Sequence, residues 1–332
     1  MTSAVDGHGV KSTDIRPRRI VLAEVMGFCW GVRRALNIVR EAAATQGPIA
    51  ALGDVIHNPQ VVRELRDEGI EPTASLETAA AQGYTRIAIT AHGAGPALRA
   101  RAETLGIAVV DTTCPLVSKV QRLAVRLVRE GYYLVIYGNR DHPEVRGILG
   151  WAATTRATVA LTVDELPWEV PRGSPSGNAP PRKVAVISQT TKQTERFLAF
   201  AAEVGRRVLP HGGEVRVVNT ICQPTWERQE AIRSLAHEVD VILVVGGRKS
   251  SNTARLVEVA RSCGVPSYQI EASHEICAEW LANADAVGIS AGASTPDHVI
   301  LEVVRALVDL GFEAPATLWR TDDPELDEFA EP

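Results

Sequence analysis

IAVVDTTCPLVSKVQRLAV, residues 107–125, is an apolar run of strand character, then a cysteine, then a segment of helical period. The same order recurs at 20–39, IVLAEVMGFCWGVRRALNIV, and at 215–232, VRVVNTICQPTWERQEAI. Cys29, Cys114 and Cys222 therefore each stand where a strand ends and a helix begins. Between them lie spacings of 85 and 108 residues, about one small domain each. Val117, Val120, Leu123 and Leu127 fall on one face of the second helix, and Trp226, Ile232, Leu235 and Val239 nearly do so on the third. Pro115 and Pro224 follow their cysteines in a first helical turn, where proline loses no amide partner. Free amides and the positive end of the helix dipole at such positions predict thiolates rather than thiols.

Outward from these segments, strand-like runs alternate with helical ones: RIAITA, YLVIYG, KVAVIS, VILVVG and DAVGIS join the three above. This rhythm predicts an α/β chain of parallel sheets covered by helices. A length of 332 residues suits three small parallel-sheet domains better than one doubly wound sheet. Packed about a pseudo-threefold axis, such domains would aim their strand ends at one central point. Outside the rhythm lie a polar amino-terminal arm, a Pro/Gly/Ser-rich stretch at 170–182 expected to be an exposed loop, and an acidic tail.

The composition, 45% hydrophobic and 23% charged, is that of an ordinary soluble protein, and no apolar run is long enough to span a bilayer. With a net charge of −5 and no lysine/arginine stripe, nucleic acid is a poor partner. An odd five cysteines without an export signal point to a reduced, cytoplasmic setting and against a disulfide framework. No C-x₂₋₄-C pair of a short-loop zinc site occurs. Single cysteines from three domains call for a ligand that bridges a gap, and a [4Fe–4S] cluster does so more naturally than one ion. Four thiolates hold clusters that only carry electrons; three leave one iron open to substrate. Cys263 and Cys277 fall inside apparent helices and are expected to be core thiols.

The remaining strand-to-helix turns carry VIHNP (His57), TAHGAG (His92), GNRDHPEV (His142, Glu144), SQTTK (Thr190), GGRKSSNT (Ser250, Ser251, Asn252) and SAGASTPD (Ser294). Taken singly, the hydroxyls and amides read as helix caps. As a set aimed at one cavity they suit a small polyanion. Glu144, in a closed site beside an anion, should have a raised pKa and hold a proton it can donate. His8, His211, His237, His274 and His298 lack such a context and are expected at the surface or in caps.

GFCWGVRRA, VIHN, AHG, DTTCPLV, HPEV, QTT, a lone cysteine before RQEA, GGRKSSNTARL and SAGASTPD together resemble the 4-hydroxy-3-methylbut-2-enyl diphosphate reductase family of the non-mevalonate isoprenoid pathway. The resemblance covers about 19 to 312, in family order. It implies a trefoil of three α/β domains whose first strand joins the carboxy-terminal domain. The expected division is an arm at 1–18, a first domain at 32–113, a second at 114–218, a third formed by 19–31 with 219–315, and a tail at 316–332. It implies reductive loss of an allylic hydroxyl to give isopentenyl and dimethylallyl diphosphate. Cys29, Cys114 and Cys222 would ligate one [4Fe–4S] cluster. Glu144 would deliver protons with Thr190 and His142, and His57, His92, Ser250, Ser251, Asn252 and Ser294 would hold the diphosphate. A ferredoxin or flavodoxin would supply electrons, since no dinucleotide fingerprint is present. AHGAGP, the Trp and Glu of ICQPTWERQ, and the loop at 170–182 depart from the family pattern. Rival readings are an enzyme resembling quinolinate synthase, an iron–sulfur sensor without turnover, and a zinc hydrolase.

Overall fold

The computed structural model describes residues 18–168 and 179–315; the arm before them, most of the proline-rich loop and the acidic tail lie outside. The chain runs β1 (Arg19–Leu22), α1 (Trp30–Gln46), β2 (Ile49–Leu52), α2 (Pro59–Asp67), β3 (Ile70–Thr73), α3 (Leu76–Ala81), β4 (Arg86–Ile89), α4 (Pro96–Thr104) and β5 (Ala108–Asp111). It continues with α5 (Pro115–Arg129), β6 (Tyr133–Tyr137), α6 (Pro143–Ala152), β7 (Ala157–Ala160), β8 (Lys183–Ser188), α7 (Thr194–Val208) and β9 (Glu214–Val217). The last stretch is α8 (Gln223–Leu235), β10 (Val241–Val245), α9 (Ser251–Ser262), β11 (Ser267–Ile270), α10 (Ala278–Leu281), β12 (Ala286–Ala291) and α11 (Asp297–Asp309).

Among the described residues the strands form three four-stranded sheets, β3-β2-β4-β5, β7-β6-β8-β9 and β11-β10-β12-β1, and every pairing is parallel. The three orders are one pattern: second, first, third, fourth. In the last sheet the fourth place is filled by β1, whose Arg19 pairs with Ala286 and Leu22 with Ile289. The architecture is thus α/β, three small parallel-sheet units in a pseudo-threefold trefoil.

Each fourth strand hands the chain to a helix that packs on another sheet. Ala35, Leu36 and Val39 of α1, after β1, are buried against β2, although β1 itself belongs to the β10–β12 sheet. Val120, Ala124 and Leu127 of α5, after β5, are buried with β6 and β8. Ala231, Ile232 and Leu235 of α8, after β9, are buried with β10. The cysteines lie at these three hand-overs, which is the physical content of the repeat.

Eight of the twelve strands coincide with the apolar runs of the sequence. The other four, IAAL, IEPT, ATVA and SYQI, carry alanine, proline or polar residues. Three of these are sheet edges, where one side needs no neighbour; Pro72 of β3 is tolerated for that reason. Two packing expectations are corrected. Trp226 is 48% exposed, so α8 buries Ile232 and Leu235 without it, and Val239 lies beyond the helix. Cys263 is exposed at the carboxy-terminal cap of α9 and Cys277 is half-buried ahead of the short α10, so neither is a core thiol. Both occupy helix ends, where side chains point past the packed face.

Candidate active site

In each sheet the strand order reverses between the first and third strands, and the loops leaving them part there to form a crevice. His57 follows β2 and His92 follows β4; His142 and Glu144 follow β6 and Thr190 follows β8; Ser250 to Asn252 follow β10 and Ser294 follows β12. Every polar residue singled out in the sequence therefore sits at the switch point of its unit. The three cysteines follow the fourth strands. All twelve line one cavity of about 120 Å³, roughly ten times what one water needs.

The cysteines repeat one local geometry. Each is the amino-terminal cap residue of its helix, with extended backbone. Each donates its backbone N–H to the turn after a third strand: Cys29 to Ala293, Cys114 to Ala91 and Cys222 to Thr190, at 3.0 to 3.1 Å. The side chains converge. A Cβ placed on Gly31 would lie 2.7 Å from Cys114 Sγ and 4.0 Å from Cys29 Sγ, so only glycine lets these sulfurs approach. Thr225 Oγ1 is 3.1 Å from Cys222 Sγ.

The expectation of thiolates is reversed at Cys114 and Cys222. Burial first, then the neighbouring sulfurs, push Cys114 up to about 12 and Cys222 up to about 11. Desolvation and mutual repulsion outweigh the helix dipole. Three thiols that repel when ionised are the donor set a polycationic group would satisfy, since metal binding deprotonates them. Among the described residues, only His57, His92 and His142 gather metal-competent atoms all within 4.8 Å of one another; the three sulfurs do not. Zinc–sulfur bonds of about 2.3 Å hold sulfurs closer together than that. The cysteines fit a cluster rather than a single ion.

Facing them are three imidazoles. His57 stacks on His92 with centroids 4.3 Å apart and planes 26° apart, and His142 meets both edge-on. His142 caps α6, its Nδ1 accepting from the Glu144 N–H at 3.2 Å. Burial holds all three below the usual histidine range, His92 well below and His142 at about 4, reinforced at His92 and His142 by repulsion from the neighbouring imidazoles and at His57 by Lys249 against the pull of Asp54. Beside them Ser250 caps α9, Ser294 donates to the His57 carbonyl at 3.3 Å, and both amide atoms of Asn252 are buried without a partner. His57 Nδ1 is likewise buried and unpartnered. Orphaned donors beside a helix amino terminus suit an absent anion.

Glu144 is 2% exposed. Its carboxylate accepts from the Thr190 N–H at 2.7 Å and the Thr190 hydroxyl at 2.8 Å. Burial pushes it up to about 7, against those two hydrogen bonds and the charge of Lys192. It therefore keeps its proton to a higher pH than an ordinary glutamate does. With the carboxyl protonated the 2.8 Å contact reverses, and the Thr190 hydroxyl can pass a proton into the cavity.

The sequence reading overlooked Gly31, Thr225 and Lys192. Gly31 carried no signal beyond GFCWG, and Thr225 was masked by the proline before it. Lys192 was legible as the one charge in SQTTK. Of the set-aside histidines, His211, His237 and His298 are exposed and His298 pairs with Glu64 at 3.4 Å, while His274 lies in a short 3₁₀ turn. His8 lies outside the described residues.

Fold and site together define a class: a trefoil α/β protein with one cavity walled by three helix-capping cysteines and three histidines. Residues 20–308 match the LytB protein family. A relative from Anaeromyxobacter sp. (strain Fw109-5) named 4-hydroxy-3-methylbut-2-enyl diphosphate reductase is 42% identical over 90% of this chain and 99% of its own. One of the same name from Aquifex aeolicus is 37% identical over 88% and 96%. A solved structure of (E)-4-hydroxy-3-methyl-but-2-enyl diphosphate reductase is 35% identical with a TM-score of 0.62, covering 88% of this chain and 99% of that one. The Plasmodium falciparum reductase structure shares the fold at a TM-score of 0.79 and 24% identity, over 91% and 96% of the two chains. The chain belongs to the LytB, or 4-hydroxy-3-methylbut-2-enyl diphosphate reductase, family.

Proposed function

We propose that this protein reduces (E)-4-hydroxy-3-methylbut-2-enyl diphosphate to isopentenyl and dimethylallyl diphosphate at a [4Fe–4S] cluster held by Cys29, Cys114 and Cys222, the terminal step of the non-mevalonate pathway. The observation that carries the reading is one cavity holding three convergent thiols, a buried carboxyl that keeps its proton to about pH 7, and unpaired anion-binding donors. Two electrons and two protons enter, and the hydroxyl leaves as water. The cluster supplies the electrons and an open coordination position. Ser250, Ser251, Asn252 and Ser294, with His57 and His92, bind the diphosphate. Glu144 delivers protons through the Thr190 hydroxyl, with His142 positioning the substrate between them. Val32, Ile56, Ala91 and Val117 in the wall exclude water around the hydrocarbon. A ferredoxin or flavodoxin in the reducing cytoplasm is the electron donor. Among the described residues no helix is long and apolar enough to cross a membrane.

The histidine trio carries a further consequence. Neutral in the free protein, these imidazoles gain a favourable charge interaction when a diphosphate arrives, which raises their pKa values and draws in protons. Inorganic diphosphate should therefore bind with proton uptake and lose affinity as pH rises through the liganded imidazole pKa. Calorimetry in two buffers of different ionisation enthalpy measures the uptake; a value of zero near pH 6 would contradict the assignment. The trio could instead hold a metal ion, given its 4.8 Å spread. The near-parallel stack of His57 on His92 argues against this, because their in-plane lone pairs run side by side rather than converge.

The deciding experiment is anaerobic. Freshly purified protein should be brown and oxygen-sensitive, and with a chemical reductant should consume the allylic diphosphate. A colourless, oxygen-indifferent protein would favour a zinc enzyme. A cluster without turnover would favour a sensor or a quinolinate synthase-like enzyme.

A further inference from the structure

Lys192 is among the largest fully buried side chains of the described residues, at 1% exposure, and has no part in the chemistry above. Its ammonium donates to Asn139 Oδ1 at 3.0 Å. Asn139 opens the turn that leads to His142 and Glu144, and its own N–H donates to Gln189 Oε1 at 3.2 Å. Gln189 in turn donates to the Thr191 hydroxyl at 3.0 Å. From the other side Gln229 of α8, the helix that starts at Cys222, donates to the Lys192 carbonyl at 3.1 Å. One lysine thus ties the turn bearing the carboxyl, the turn bearing Thr190 and a cysteine-bearing helix.

Its charge is felt in the same place. Burial first, then Arg255, lower its pKa to about 8, while Glu258 and Glu144 favour the ammonium. Reciprocally, Lys192 favours the ionised carboxyl of Glu144 and disfavours the imidazolium of His142. A buried ammonium with one hydrogen bond to a side chain is costly, and a side chain there for packing alone would be apolar.

We propose that Lys192 is a positioning residue for proton delivery: it holds the 138–142 turn against the 189–193 turn so that Glu144 stays on Thr190, and it offsets the carboxylate left when the proton departs. The inference rests on Glu144 being the proton donor. The proton moves from the Glu144 carboxyl through the Thr190 hydroxyl toward the substrate; Lys192 transfers nothing.

The test is Lys192→Met in the full-length, cluster-loaded enzyme, assayed anaerobically with a chemical reductant beside the wild type. Methionine keeps the volume and removes the charge and the tether. Iron content and the cluster spectrum should match wild type, and the melting temperature should change little, because relief of a buried charge and loss of the donor to Asn139 Oδ1 act in opposite directions. KM should stay within about twofold while kcat falls roughly ten- to a hundredfold, the usual cost of a misplaced catalytic group. The solvent deuterium isotope effect on kcat should rise as proton delivery becomes slower. Lys192→Gln restores a hydrogen-bonding partner for Asn139 without the charge and should recover only part of the lost kcat.

A Lys192→Met enzyme with wild-type kcat overturns the proposal. So does a loss that tracks a lower melting temperature or lost iron, which would make Lys192 structural, or a raised KM at unchanged kcat, which would place it on the substrate. A wild-type enzyme that leaves the diphosphate unreduced removes the proposed function itself, and this inference with it.

Discussion

Cys114→Ser is expected to abolish cluster retention while leaving the fold intact. The two halves of that outcome have separate causes. Serine is a better helix cap than cysteine, so α5 should form at least as well, its first-turn amides finding a hydroxyl acceptor. Val120, Ala124 and Leu127, which bury the helix, are untouched. The same hydroxyl is a poor replacement ligand. It ionises far less readily than the thiol, even with Cys114 pushed up to about 12, and its harder, smaller oxygen cannot reach as far under Gly31. Two thiols on two helices then remain for a group that needs three. Circular dichroism should be unchanged and iron and sulfide per chain close to zero after anaerobic reconstitution. A serine variant that keeps wild-type iron content would remove Cys114 from the ligand set.

Glu144→Gln should keep the cluster and lose turnover by roughly 10² to 10⁴, the range a general acid supplies. The amide is isosteric and its oxygen can still accept from the Thr190 N–H, so the turn should hold. It has no acidic proton to pass to the Thr190 hydroxyl. KM should change little, because the residues proposed to hold the diphosphate are others. The wild-type pH profile carries the same signature. The acid works when protonated, and its pKa in the free protein is about 7, so kcat/KM should fall as pH rises through 7. A bound diphosphate opposes ionisation further, which places the limb in kcat at higher pH. Stability follows the same sign. Because the folded pKa is raised, the contribution of this group is fully present below its unfolded pKa near 4.5 and is lost as pH rises through about 7. Full activity in the glutamine variant would remove Glu144 as the proton donor.

Much of this was legible locally. A strand, a cysteine and a helix three times over announced three parallel α/β units, because the strands buried on both sides must be apolar along their whole length, as VILVV and YLVIY are. The edge strands IEPT, ATVA and SYQI were fainter for the converse reason. The turn residues could be named because they stand at the carboxyl ends of strands, where any side chain has to leave the sheet.

Two properties are not local and appear only when the units assemble. One is adjacency: His57, His92 and His142 come from two different sheets, and nothing in VIHN, AHG or HPEV says that their rings will touch. The other is ionisation. Helix-end cysteines predicted thiolates, yet burial pushes Cys114 up to about 12 and Cys222 up to about 11, since the cost of removing a charge from water depends on everything that surrounds it. The order of residues along the chain determined which groups stand at strand ends. Burial among three packed units, which no single segment encodes, decided which of them touch, which keep their protons, and that a lysine would be enclosed behind the carboxyl.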